Sequence, residues 1–171
     1  LIAETGGQNA MIVDNSALPE QVVDDIIISG FQSAGQRCSA LRILYVQDGI
    51  ADKVIKMLDG AAEELIVDDP IYLNTDVGPV IDRPSQQTLT DHAMKMDGIG
   101  KMVAKAPLEK AVEDRGIYFA PRAYELNDTS ALTREVFGPI VHIVRYQTGH
   151  LDKVMDDINH KGYGLTLGIH S

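Results

Sequence analysis

The chain's one cysteine, Cys38, lies in the run SAGQRCSAL, between a helix-like stretch and a strand-like one. Gly35 lets the backbone bend sharply there, and turns of this kind display side chains. Gln36, Arg37 and Ser39 are polar, so exposed backbone N–H groups or the Arg37 guanidinium could stabilise the thiolate, the nucleophilic form of cysteine. Taken alone, a lone cysteine is more often a small buried hydrophobe. Glu4 stands in ETGG, where two glycines leave a carboxylate room to approach a reacting centre and act as a base. A glutamate beside such a doublet is, by itself, more often a solvated side chain. Glu135 and Phe137 in EVFGPIV share one side of a short extended segment. A carboxylate there could accept both hydroxyls of a ribose while the ring packs against it, although a plain turn ahead of a strand explains the same letters.

These residues need elements to position them. Residues 10–13 form a short apolar run, and Pro19 begins a stretch of helical periodicity reaching residue 34. Residues 41–46 read as a strand and 50–65 as a second helix. Three prolines, a glycine and several aspartates make residues 68–84 an irregular connection before a third helix at 85–96. Short strands are expected at 101–104, 118–120 and 140–146, then a helix at 151–159 and a last strand at 165–169. This alternation predicts an α/β fold, a three-layer sandwich with a largely parallel sheet, as one domain over residues 1–171.

Composition narrows the function classes. With 15 Lys and Arg against 25 Asp and Glu the net charge is −10, which disfavours nucleic acid and anionic membranes. No apolar run is long enough to cross a bilayer. A single cysteine cannot form an internal disulfide, which fits a cytoplasmic setting. The five histidines, at positions 92, 142, 150, 160 and 170, have no metal-ligand spacing, so no metal site is expected. The abrupt start at Leu1 and the strand-like end suggest an excised piece, whose uncovered apolar edges would favour self-association.

Together, ETGG, GQRC and EVFGP resemble the aldehyde dehydrogenase superfamily in order and spacing, with 34 residues from Glu4 to Cys38 and 97 from Cys38 to Glu135. Phe31, seven residues before Cys38, and the run from Asn159 through Tyr163, Gly164 and Leu165 extend the match across the chain. Within the superfamily, ETGGQNAMIVD and SAGQRCSALR look like the glutamate semialdehyde (1-pyrroline-5-carboxylate) dehydrogenase module of the proline utilization A proteins. The resemblance implies the catalytic domain of an NAD-dependent enzyme of proline catabolism, in which Cys38 adds to the aldehyde and Glu4 activates water to hydrolyse the resulting thioester. It further implies that Glu135 and Phe137 hold the nicotinamide ribose, that Ser39 and Arg37 help to bind the substrate, and that Phe31 lines its aliphatic part. No glycine-rich turn between a strand and a helix is present to cradle a pyrophosphate, so the main cofactor-binding domain is expected outside this segment. It would be a partner in the same polypeptide, for which the resemblance also implies an FAD-bearing proline dehydrogenase domain, and the isolated piece would be inactive. A dehydrogenase for another aldehyde, a cysteine hydrolase and a non-catalytic assembly module are the alternatives, the hydrolase requiring a histidine beside Cys38.

Overall fold

The computed structural model describes residue 1 and residues 6–171. Three apolar runs supply the centre of the sheet: β1 (Asn9–Val13), β2 (Leu41–Gln47) and β5 (Ile140–Tyr146). Every residue of β1 and β2 is buried. Successive side chains of a strand point to opposite faces, so both faces of the sheet are covered, which places it between two helical layers. β1 pairs in parallel with β2, and β2 with β5. The remaining strands are β3 (Lys101–Lys105), β4 (Arg122–Leu126) and β6 (Leu167–His170). The order is β3-β4-β5-β2-β1-β6, and only the β3·β4 pairing is antiparallel. The fold is thus the α/β sandwich with a largely parallel sheet that the alternating pattern predicts.

The helices start where chemistry favours it. Pro19 opens α1 (Pro19–Ile26), its fixed φ suiting the first turn. In α2 (Asp48–Glu63) the buried residues Ile50, Val54, Leu58 and Ala62 recur at every fourth position and make one inward stripe. Asp82 caps α3 (Arg83–Ile99) by accepting the Ser85 N–H at 2.8 Å. The short α4 (Lys110–Glu113) and α5 (Leu151–His160) complete the set.

Two expectations are corrected. The helix expected to run to residue 34 leaves α-geometry after Ile26 and widens over Ile27–Phe31. Gly30 sits there against β5, where a β-carbon would come within 2.6 Å of Val141. The strand expected at 118–120 is not one: the chain is irregular there, and the strand begins at Arg122. Pro121 has no N–H for a ladder, its carbonyl instead accepts Ala106 N–H, and Arg122 folds back over the Phe119 ring at 4.3 Å. At the opposite edge, Leu167 and Ile169 of β6 are more than half exposed. Among the described residues no helix is long and apolar enough to cross a membrane.

Candidate active site

The turn bearing Cys38 is built by an unusual backbone. After Phe31, Ser33 (φ 55°), Ala34 (φ 51°) and Gly35 (φ 62°) make one turn of left-handed chain. Two of these are not glycine, and each such residue costs about 1–3 kcal/mol, so the surroundings must over-determine it. They do: a β-carbon at Gly35 would lie 2.3 Å from the Gly138 carbonyl oxygen, so only glycine lets the turn wedge against the EVFGP segment. The result raises Arg37, Cys38 and Ser39 to the exposed surface before β2 begins.

Buried residues then grip this turn by its carbonyls. Asn9, almost fully buried at the start of β1, donates from Nδ2 to the carbonyls of Cys38 (2.7 Å) and Ala40 (2.8 Å). Its Oδ1 accepts the Thr166 N–H at 3.2 Å, tying in the segment that leads to β6. The Arg37 guanidinium reaches back to the Ile28 carbonyl at 2.6 Å. Gly7, the second glycine of ETGG, lies against the same turn, where a β-carbon would be 3.2 Å from the Cys38 carbonyl oxygen.

Glu135 joins the remaining motif to these two. Its Oε2 accepts the Gly7 N–H at 2.8 Å, and its Oε1 accepts Arg42 Nε at 3.0 Å and lies 2.9 Å from NH2 as an ion pair. Arg42 also donates from NH1 to the Gly138 carbonyl (3.0 Å) and from NH2 to the Arg37 carbonyl (3.4 Å), and its guanidinium lies 5.3 Å from the centre of the Phe137 ring. The two side chains are only 3% and 9% exposed. Burial pushes the Arg42 guanidinium down from its ordinary value, while the charge and hydrogen bonds of Glu135 oppose that. Such a pair persists because its charges are matched and its donors are satisfied. One carboxylate thus binds the ETGG segment and, through Arg42, the Cys38 turn.

All 171 residues match the model of the aldehyde dehydrogenase family. The chain belongs to the aldehyde dehydrogenase family. It is 50% identical, over its whole length, to the bifunctional protein PutA of Escherichia coli K12, of which it spans 13%. It is 30% identical over 97% of its length to the 1-pyrroline-5-carboxylate dehydrogenase of Geobacillus kaustophilus, covering 32% of that protein. A crystal structure of a bifunctional proline utilization A protein superposes with a TM-score of 0.92 at 50% identity, over 98% of this chain and 16% of that one.

In this aldehyde dehydrogenase chain Cys38, Arg37, Ser39, Glu135 and Phe137 gather around one region, and Phe137 is 43% exposed beside the carboxylate. Glu4 lies outside the described residues. Phe31 does not suit the substrate role expected of it: it is fully buried and packs beneath the turn, leaving no surface to offer a ligand. The residues present fit a ribose. Gly6 leaves open the space beside Glu135 Oε2, where a β-carbon would crowd the oxygen at 3.0 Å. That oxygen and Oε1 each accept one hydrogen bond and each have a lone-pair site to spare, Oε1 lying also in ion-pair contact with Arg42 NH2.

Sequence reasoning missed Asn9, Arg42 and the pairing of buried His142 with half-buried His92. An arginine inside the apolar run LRILYV was the available signal, because a charge in a strand covered on both faces needs a partner. His142 and His92 approach Nε2 to Nε2 at 2.8 Å, and His142 Nδ1 lies 3.0 Å from the Arg42 carbonyl. A carbonyl only accepts, so His142 carries its proton on Nδ1 and takes the His92 Nε2–H on its other nitrogen. Burial holds both rings neutral, pushing His142 down to about 3 and His92 to about 4. His160 is bonded to the Asp156 carbonyl and His170 pairs with Asp25, so four of the five imidazoles are engaged away from Cys38. Among the described residues no group of three or more His, Cys, Asp or Glu side chains could hold a metal ion.

Proposed function

We propose that this chain is the thiol-bearing catalytic domain, over residues 1–171, of a cytoplasmic NAD-dependent dehydrogenase that oxidises L-glutamate γ-semialdehyde to L-glutamate in proline catabolism. What carries this reading is the Glu135 carboxylate, bonded at once to Gly7 of ETGG and to the arginine that reaches the Cys38 turn. The names of its relatives, PutA and 1-pyrroline-5-carboxylate dehydrogenase, support the substrate. The chain covers a small fraction of those proteins, so the cofactor-binding domain and an FAD-bearing proline dehydrogenase domain belong to the same polypeptide in this reading.

The Cys38 sulfur attacks the aldehyde carbon, and the carbonyl electrons move to oxygen, which accepts from the Cys38 peptide N–H in this reading. NAD, when bound, supplies the hydride acceptor whose action leaves a thioester on Cys38. Glu135 holds the ribose hydroxyls beside the Phe137 ring. Glu4, three residues before Gly7, takes a proton from water, which adds to the thioester carbon and expels the thiolate, giving the carboxylic acid. Exposed Ser39 and Arg37 flank the sulfur, where a hydroxyl and a cation suit the substrate's own carboxylate.

The test is substitution in the full protein that carries this chain. Cys38→Ser lowers aldehyde oxidation by a factor on the order of 10⁴. Glu4→Gln lets the first hydride transfer occur and then accumulates a thioester detectable by mass spectrometry, slowing turnover by about 10²–10⁴. Turnover retained in Cys38→Ser would refute the assignment.

A further inference from the structure

We propose that the cavity between α3 and residues 131–136 binds a small zwitterion, an α-amino acid with a short aliphatic side chain. The cavity has a volume of about 220 Å³ and is independent of the chemistry at Cys38. Glu135 and Phe137 turn toward Arg42, whereas Arg134 and Val136 line this space.

One face of α3 supplies Asp91, His92 and Lys95 to the cavity, at spacings that bring side chains of successive turns together. Lys95 Nζ crosses to the Ala131 carbonyl at 2.9 Å and ties the two walls to each other. The proton on His92 is fixed by its neighbour. His142 spends its Nδ1–H on the Arg42 carbonyl, so the Nε2–H between the rings belongs to His92, and His92 Nδ1 is left with a lone pair. Among the described residues that nitrogen has no partner, and it is not sealed from solvent, so it opens to the cavity that the ring lines. Burial first, then the charges of Lys95 and Arg134, hold the ring neutral, which places both cations near it and keeps the lone pair available. Asp91 and Lys95 are four apart on one helix yet form no ion pair: among the described residues Asp91 accepts only the Gln87 side-chain amide, at 2.7 Å, and Arg134 has no carboxylate partner.

The walls therefore present two cations, one carboxylate and one neutral acceptor. A simple anion would meet Asp91 and the Nδ1 lone pair, and a simple cation would meet Lys95 and Arg134, so each faces repulsion from part of the lining. A molecule with a carboxylate beside an ammonium group satisfies both halves. Arg134 and Lys95 donate to the carboxylate, while Asp91 and His92 Nδ1 accept from the ammonium. Ala131 and buried Val136 line the same space and suit a short aliphatic side chain.

The experiment measures binding to the full protein that carries this chain, by calorimetry and ligand-detected NMR, with L-valine, isovalerate and isobutylamine as probes. The last two are valine without its ammonium group and valine without its carboxylate. Valine is expected to bind about tenfold more tightly than either, the size of one charge-assisted contact. Arg134→Gln weakens valine and isovalerate alike, each by about tenfold. Asp91→Asn weakens valine by about tenfold and strengthens isovalerate, a crossed response that damage to the fold does not produce. Both residues are exposed, so neither substitution reaches the core. Valine that binds no better than isovalerate, or valine binding that survives both substitutions, overturns the site.

Discussion

Two arginines on neighbouring parallel strands meet carboxylates in opposite surroundings. Arg42 of β2 is sealed against Glu135, with side chains 3% and 9% exposed. Arg145 of β5 meets Glu125 and Asp52 where it is 31% exposed and Asp52 is 90% exposed. Access of water separates them. In water the Arg145 cluster exchanges one solvation for another, and double-mutant measurements of such pairs give small values. The Arg42 pair has no water to fall back on, so each partner is costly without the other, and its geometry is correspondingly definite. An ion pair that is a poor source of net stability can still be a strict source of position.

The contrast can be broken or sharpened by four measurements. The largest effect is expected from Arg42→Met, which leaves the Glu135 carboxylate buried with only the Gly7 N–H and should cost about 3–5 kcal/mol in urea unfolding. A loss below about 1 kcal/mol would place it with surface pairs. Adding Glu135→Leu to Arg42→Met removes the stranded charge, and the double variant is expected to be more stable than Arg42→Met alone, with the coupling read from a double-mutant cycle. Third, acid should find the support behind Arg42. His142 is held neutral down to about 3 in the folded chain against an ordinary value of 6.5. Below pH 6.5 the unfolded state binds a proton that the folded state refuses, so stability falls as pH drops, by roughly 2 kcal/mol from this residue between pH 6.5 and 5. His142→Gln should flatten that slope, and an unchanged slope would deny the ring its neutral role. Smallest is Arg145→Met, expected to cost about 0.2–1 kcal/mol and to lose even that in high salt.

Legibility in the sequence followed the range of the forces involved. β5 occupies the residues its apolar run marked, and β1, β2 and α5 differ from expectation by one residue at an end. Apolar runs and helical periodicity report burial that neighbouring residues share, so they can be read locally. Residues 118–120 misled because they are apolar and buried, as a strand would be, while Pro121 and the Arg122–Phe119 stacking deny them a ladder. The helix ahead of Cys38 was drawn too long because periodicity carries no sign of the Gly30–Val141 approach that bends it. At the site, residue types pointed to Cys38 and Glu135, but Phe31 was given a surface that the fold denies it.

What the amino-acid order determined by itself was the inventory: one thiol at a polar turn, glycines where the backbone must crowd, apolar stretches that can only be satisfied by a covered sheet. What tertiary structure alone decided was which groups 93 and 128 residues apart would share a hydrogen bond, Arg42 with Glu135 and Gly7 with Glu135. The physical reason is that a buried charge is neutralised by whichever partner the closed sheet brings within 3 Å, and no local pattern encodes that partner.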